Sequence, residues 1–144
     1  MGRIITITCR NKGCGHHMEL QVGVGFSLFR KSRLLEDELK SDRNADDKIL
    51  ELLDKGSHIN YRAVYVCPHC REWVEYDNPY IFDPIRVTPL GTVREYKLRY
   101  LQEKPVCKEC GSDLYHIYNP LSTNNPCPKC GADNMNAKYV GNWD

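Results

Sequence analysis

The stretch VCKECGSDLYHIYNPLSTNNPCPKCG, residues 106–131, decides how the rest of the chain is read. It holds two C-x-x-C pairs, Cys107/Cys110 and Cys127/Cys130, with 16 residues between them. That spacing is the one by which four thiolates close around a single tetrahedral ion. In a C-x-x-C turn both sulfurs can face one metal while backbone N–H groups of the turn face the sulfurs. Glycine just past the second cysteine eases the turn, because it takes a positive φ without steric cost. Gly111 and Gly131 both stand in that place, and Pro128 presets one φ inside the second pair.

All eight cysteines fall in four close pairs, the other two being Cys9/Cys14 and Cys67/Cys70. Secreted disulfide frameworks rarely place every cysteine so near a neighbour, whereas metal knuckles do. Each pair lies between strand-like segments. RIITIT (3–8) is β-branched, CRNKGCGHH carries Cys9 and Cys14 in a turn, and MELQVGV (18–24) returns. NYRAVYV (60–66) delivers Cys67 and Cys70, and EWVEY leads away. The nearest unpaired partner for Cys67/Cys70 is the first hairpin. The expected sites are therefore Cys9, Cys14, Cys67 and Cys70 for one ion, and Cys107, Cys110, Cys127 and Cys130 for the other. The rival arrangement joins Cys67/Cys70 to Cys107/Cys110 and brings the two chain ends together. His16 or His17 is the alternative ligand in the first site, whose C-x4-C turn is the least regular.

The two C-x-x-C-G knuckles resemble a zinc ribbon or rubredoxin-type knuckle pair over roughly the last 40 of the 144 residues. Such modules occur in proteins of many functions, so the resemblance implies a fold piece and not an activity. Tetrahedral sulfur ligation suits zinc or iron. Two zinc ions are expected, with iron as the alternative. The whole-chain pattern also resembles small bacterial proteins of uncharacterised role that combine a cysteine-knuckle hairpin, a Gly-x-Gly turn into helices and further C-x-x-C pairs.

Between the first two knuckles, residues 27–40 place Leu28, Leu35 and Leu39 on one helical face. A second helix is predicted over 45–55, with Asn44 as its cap, Ile49, Leu52 and Leu53 as its apolar stripe and Gly56 at its end. DNPYIFDPIRVTPLGT (77–92), with three prolines, reads as an extended connector. VREYKLRYLQ after it alternates, with Tyr96, Leu98 and Tyr100 on one face and Glu95, Lys97 and Arg99 on the other. DLYHIY and MNAKYV are the expected strands of the C-terminal ribbon. The predicted class is α+β. Two small zinc-ribbon-like antiparallel modules span 1–88 and 89–144, the first carrying a helical insertion over about 27–56.

Lys and Arg number 20 against 19 Asp and Glu, a balance that gives no strong field to draw in nucleic acid or an anionic membrane. No run of 18 apolar residues exists, so no membrane span is expected. With no export signal at the N-terminus, the expected compartment is the cytoplasm. The Met-Gly start leads straight into a strand and is not read as an acylation signal. Gly23 and Gly25 lack the remaining features of a phosphate loop. No Ser-His-Asp order, H-E-x-x-H or deaminase motif is visible, and eight cysteines divide into two closed sets with no ligand vacancy. The expectation is a non-catalytic, metal-stabilised adaptor for a protein partner or a structural role. Nucleic-acid binding is the rival, because Arg94, Lys97 and Arg99 interleave with Tyr96 and Tyr100. Aromatic side chains in a small sheet protein more often fill its core.

Overall fold

The computed structural model describes residues 2–23, 25–117 and 126–143, the side chains of Val93 and Arg94 excepted. The described chain is α+β, as expected. Strands β1 (Gly2–Cys9) and β2 (His17–Gly23) form the first hairpin, in register from Gly2↔Gly23 to Thr8↔His17. Alternation turns Ile5, Ile7 and Cys9 inward, where each is almost fully buried. Val24, the last residue of the expected returning strand, lies outside the described residues. Two helices follow, α1 (Phe26–Ser41) and α2 (Asp47–Asp54).

Helix α1 buries Leu28, Ser32 and Glu36, and packs Leu35 and Leu39 against a cluster of Ile49, Leu52, Leu53, Ile59 and Ile81. Ser32 and Glu36 are polar residues on the apolar stripe, and both bond to the chain at residue 59. The Ser32 hydroxyl donates to the Ile59 carbonyl (2.5 Å), and the Ile59 N–H donates to Glu36 Oε1 (3.0 Å). The expected cap at Asn44 is corrected: α2 starts two residues later, and Asp46 accepts from the Lys48 and Ile49 N–H groups.

The remaining strands are β3 (Asn60–Val66), β4 (Trp73–Val87), β5 (Val93–Tyr100), β6 (Tyr115–His116) and β7 (Met135–Trp143). The 77–92 connector is a second correction. Its first eleven residues complete the 15-residue strand β4, and only Thr88–Thr92 turns, closed by the Gly91 N–H on the Thr88 carbonyl (2.9 Å). The prolines sit where a strand tolerates them. Pro79 lies at the register shift against β3, and Pro84 lies beyond Tyr80, where β4 pairs with β5 alone.

The seven-stranded sheet runs β5-β4-β3-β2-β1-β7, with β6 on β3. All pairs are antiparallel. Strand β7 does not pair with the DLYHIY segment. It lies along β1 from Gly2↔Trp143 to Cys9↔Met135, while β6 joins β3 at Tyr65↔His116 and Val66↔Tyr115. Tyr118, at the end of DLYHIY, is outside the described residues. A Cβ on Gly2 would overlap the Trp143 indole, so the two chain ends pack backbone against ring.

The sheet is thinnest between β2 and β3, which share one registered pair, Gly23↔Arg62. Arg62 reinforces that seam. Its guanidinium donates twice to Asp77 (2.6 and 2.8 Å) and once to Gln21 Oε1 (2.6 Å), and stacks 4.5 Å from the Trp143 ring. The indole N–H in turn donates to the Val22 carbonyl (3.2 Å), and the Gln21 N–H donates to Glu75. Apolar burial crosses the same seam: Ile5, Ile7 and Leu20 share a cluster with Val64, Trp73 and Ile117.

Candidate metal centres

Three of the four knuckles are built alike. The amide after the second cysteine donates to the carbonyl of the first: Arg71 to Cys67 (2.9 Å), Gly111 to Cys107 (2.8 Å) and Gly131 to Cys127 (2.8 Å). The first cysteine's own N–H then reaches the next residue's carbonyl: Cys67 to Glu72 (3.0 Å), Cys107 to Ser112 (2.8 Å) and Cys127 to Ala132 (3.0 Å). In the C-x4-C turn the equivalent bond runs from the Cys9 N–H to the His16 carbonyl (2.8 Å), two residues further along, as its two extra residues require. All four knuckles need a left-handed residue directly after the second cysteine. Gly15 (φ +57°), Gly111 (+73°) and Gly131 (+74°) supply it at no steric cost; Arg71 (+58°) is the exception. A side chain there costs about 1–2 kcal/mol.

The eight cysteines gather into two tetrads. Cys9, Cys14, Cys127 and Cys130 form one, and Cys67, Cys70, Cys107 and Cys110 the other; within each, the four sulfurs lie within 4.8 Å of one another. The expected assignment of partners is therefore corrected, and the rival arrangement holds. Cys9/Cys14 meets Cys127/Cys130 because β7 takes the open edge of β1, which sets Met135 opposite Cys9. Cys67/Cys70 meets Cys107/Cys110 because β6 zips onto the end of β3, one residue before Cys67.

The sulfur spacing fits a metal and not a disulfide. A tetrahedral ion with metal–sulfur bonds of about 2.3 Å sets its sulfurs about 3.8 Å apart. The observed Sγ–Sγ distances are 3.6 Å for Cys9–Cys130 and 3.8 Å for Cys14–Cys127. In the second tetrad they are 3.5 Å for Cys67–Cys110 and 4.0 Å for Cys70–Cys107. A disulfide needs about 2.05 Å. In each tetrad the leading cysteines of the C-x-x-C pairs are buried and the trailing ones exposed, so each site has one face on the core and one on solvent.

Local donors bias two of the sulfurs, Cys110 and Cys130, toward thiolate. The Ser112 hydroxyl lies 3.3 Å from Cys110 Sγ, and with the Ser112 N–H it brings the Cys110 thiol down to about 6. The Ala132 N–H and the Asn11 amide, 3.6 Å away, do the same for Cys130, also to about 6. Cys70, beside the sulfurs of Cys110 and Cys67, is pushed up to about 12. Four sulfurs crowded together cannot all ionise against one another's charge. A divalent cation removes that conflict by deprotonating every ligand, so the donor set fits a metal ion in each tetrad.

Neither His16 nor His17 joins a tetrad; His17 Nδ1 instead lies 2.9 Å from the Thr8 hydroxyl. Of the basic residues considered for nucleic acid, Arg99 is paired with Asp83 (2.5 Å), Lys97 is exposed, and the Arg94 side chain lies outside the described residues. Tyr96 and Tyr100 are half-buried; Tyr96 packs edge-on to Phe82, and Tyr100 beside Tyr80. The sequence reading passed over Asn11, Arg71 and Ser112. The signal for Arg71 was present: CPHCR carries arginine where the other three knuckles carry glycine. No helix among the described residues is long and apolar enough to cross a membrane. No protein-family model, curated protein or solved structure matches the chain.

Proposed function

We propose that the chain is a zinc-binding, non-catalytic adaptor whose two four-cysteine sites hold one sheet together and leave its surfaces to a protein partner. The observation that carries this reading is the grouping of both tetrads: each brings four sulfurs within 4.8 Å of one another, enough to fill all four positions of a tetrahedral ion. A catalytic zinc keeps one position for water. Zinc is favoured over iron because it is the commoner structural metal in four-thiolate sites. Exposed apolar side chains on α1 (Phe26, Phe29 and Leu34) and along the β4–β5 hairpin (Ile85, Val87 and Leu90) support a protein partner. The Arg99–Asp83 pair takes one cation away from a phosphate-binding role.

Two measurements test this reading. Protein purified without added metal is expected to contain two zinc ions per chain and to lack the colour of an iron–thiolate centre. A stoichiometry near one, or a red iron chromophore, overturns the two-zinc assignment. Binding of single- or double-stranded nucleic acid is then measured across salt. Affinity tighter than micromolar at physiological salt, with a steep salt slope, replaces the protein-adaptor reading with the nucleic-acid one.

A further inference from the structure

Arg71 belongs to the knuckle of one tetrad and reaches toward the knuckle of the other. Its backbone follows Cys70 in the left-handed region, the place that glycine fills in the other three turns. Its guanidinium Nη1 lies 3.2 Å from where a Cβ on Gly131 would stand, and Gly131 follows Cys130. A cleft of about 390 Å3 is lined by residues of both knuckles, among them Cys67 and Arg71 of one and Cys127 and Gly131 of the other, with Trp73. Its one charged lining residue is Arg71. No carboxylate among the described residues forms an ion pair with it.

A backbone strain kept at one position of four calls for a side chain that glycine cannot replace. The charges decide what that side chain serves. A divalent ion held by four thiolates leaves a net charge of −2, so two filled tetrads repel each other across this cleft. An anionic ligand seated there would meet the same repulsion from both sides, which argues against an anion site. A cation between the centres lowers the cost of filling both. Arg71 is exposed, so that effect is screened by salt.

We propose that Arg71 is a counter-cation shared by the two metal centres, which allows both to be filled at once. This rests on the reading of both tetrads as metal sites. The test is a competition titration of the full-length apoprotein with zinc against a chromophoric chelator. It compares wild type with Arg71→Gly, Arg71→Asn and Arg71→Lys at low and high salt. Glycine and asparagine both suit a left-handed backbone, so neither disturbs the turn.

In Arg71→Gly and Arg71→Asn the second zinc is expected to bind roughly three- to tenfold more weakly at low salt. The deficit should shrink at high salt, as a charge effect must. Arg71→Lys should keep most of the wild-type affinity. The inference is overturned if Arg71→Gly and Arg71→Asn hold both ions as tightly as wild type. It is equally overturned if Arg71→Lys loses as much as Arg71→Asn, since the effect is then not one of charge. Wild type taking up fewer than two ions would bring down the two-site reading itself, and this inference with it.

Discussion

At the scale of single residues, His116 shows how burial sets a side chain's state. It lies among the rings of Tyr65, Tyr80 and Phe82, at centroid distances of 5.6, 6.0 and 6.4 Å. Desolvation among those rings brings its pKa down to about 4 from the ordinary 6.5. The folded state therefore favours the neutral imidazole. Its contribution to stability is fully present above pH 6.5 and is lost as pH falls toward 4, because the unfolded chain binds the proton first. NMR titration of the imidazole should give a midpoint well below 6.5; an ordinary midpoint would mean that the ring is in solvent. Relative to His116→Phe, wild type should lose stability over that window.

At the scale of elements, the helices attach to the sheet through polar atoms on an otherwise apolar stripe. Glu36, 3% exposed, accepts the Ile59 N–H and pairs with Arg33 Nη1 at 3.0 Å. Ser32 takes the carbonyl of the same residue. Together they fix the point at which the chain leaves the helices for β3. Replacing Glu36 with alanine strands a buried N–H, at a cost of about 1–3 kcal/mol. Glu36→Gln keeps an acceptor and should cost less. Chemical denaturation at saturating zinc orders the two; equal losses would show that the charge, and not the acceptor, is what matters. The 3.6-residue period made Leu28, Leu35 and Leu39 legible from sequence. Ser32 and Glu36 share that period, but only their partners at residue 59 explain polar groups on the buried face.

At the scale of the whole molecule, one tetrad ties together segments from opposite ends of the chain, and the other joins two segments between them. Cys9→Ser and Cys127→Ser should each remove the same ion, so the double variant should lose no more metal than either single one. Cys9→Ser with Cys67→Ser should lose both ions, because these residues serve different tetrads. With Cys67→Ser, the three single and two double variants and wild type form two double-mutant cycles, whose metal content and denaturation separate the two arrangements. Strong coupling between Cys9 and Cys67 would instead restore the partner assignment expected from sequence.

The eight cysteines, their four knuckles, the α+β class and the two helices between the first two knuckles were legible in the chain alone. These are local features: a close pair of cysteines in a short turn makes a knuckle whatever the rest of the chain does. Which knuckles share an ion was decided only by the tertiary structure. Proximity along the chain pointed to Cys67/Cys70 for Cys9/Cys14, with 52 residues between Cys14 and Cys67, instead of Cys127/Cys130, with 112 residues between Cys14 and Cys127. Doubling a loop costs only about 0.6 kcal/mol, too little to decide between them. The choice fell to strand pairing, with β7 along the whole of β1 and β6 on the end of β3. Edge pairing of that kind depends on which strands meet in space. Nothing in a single knuckle's sequence encodes it.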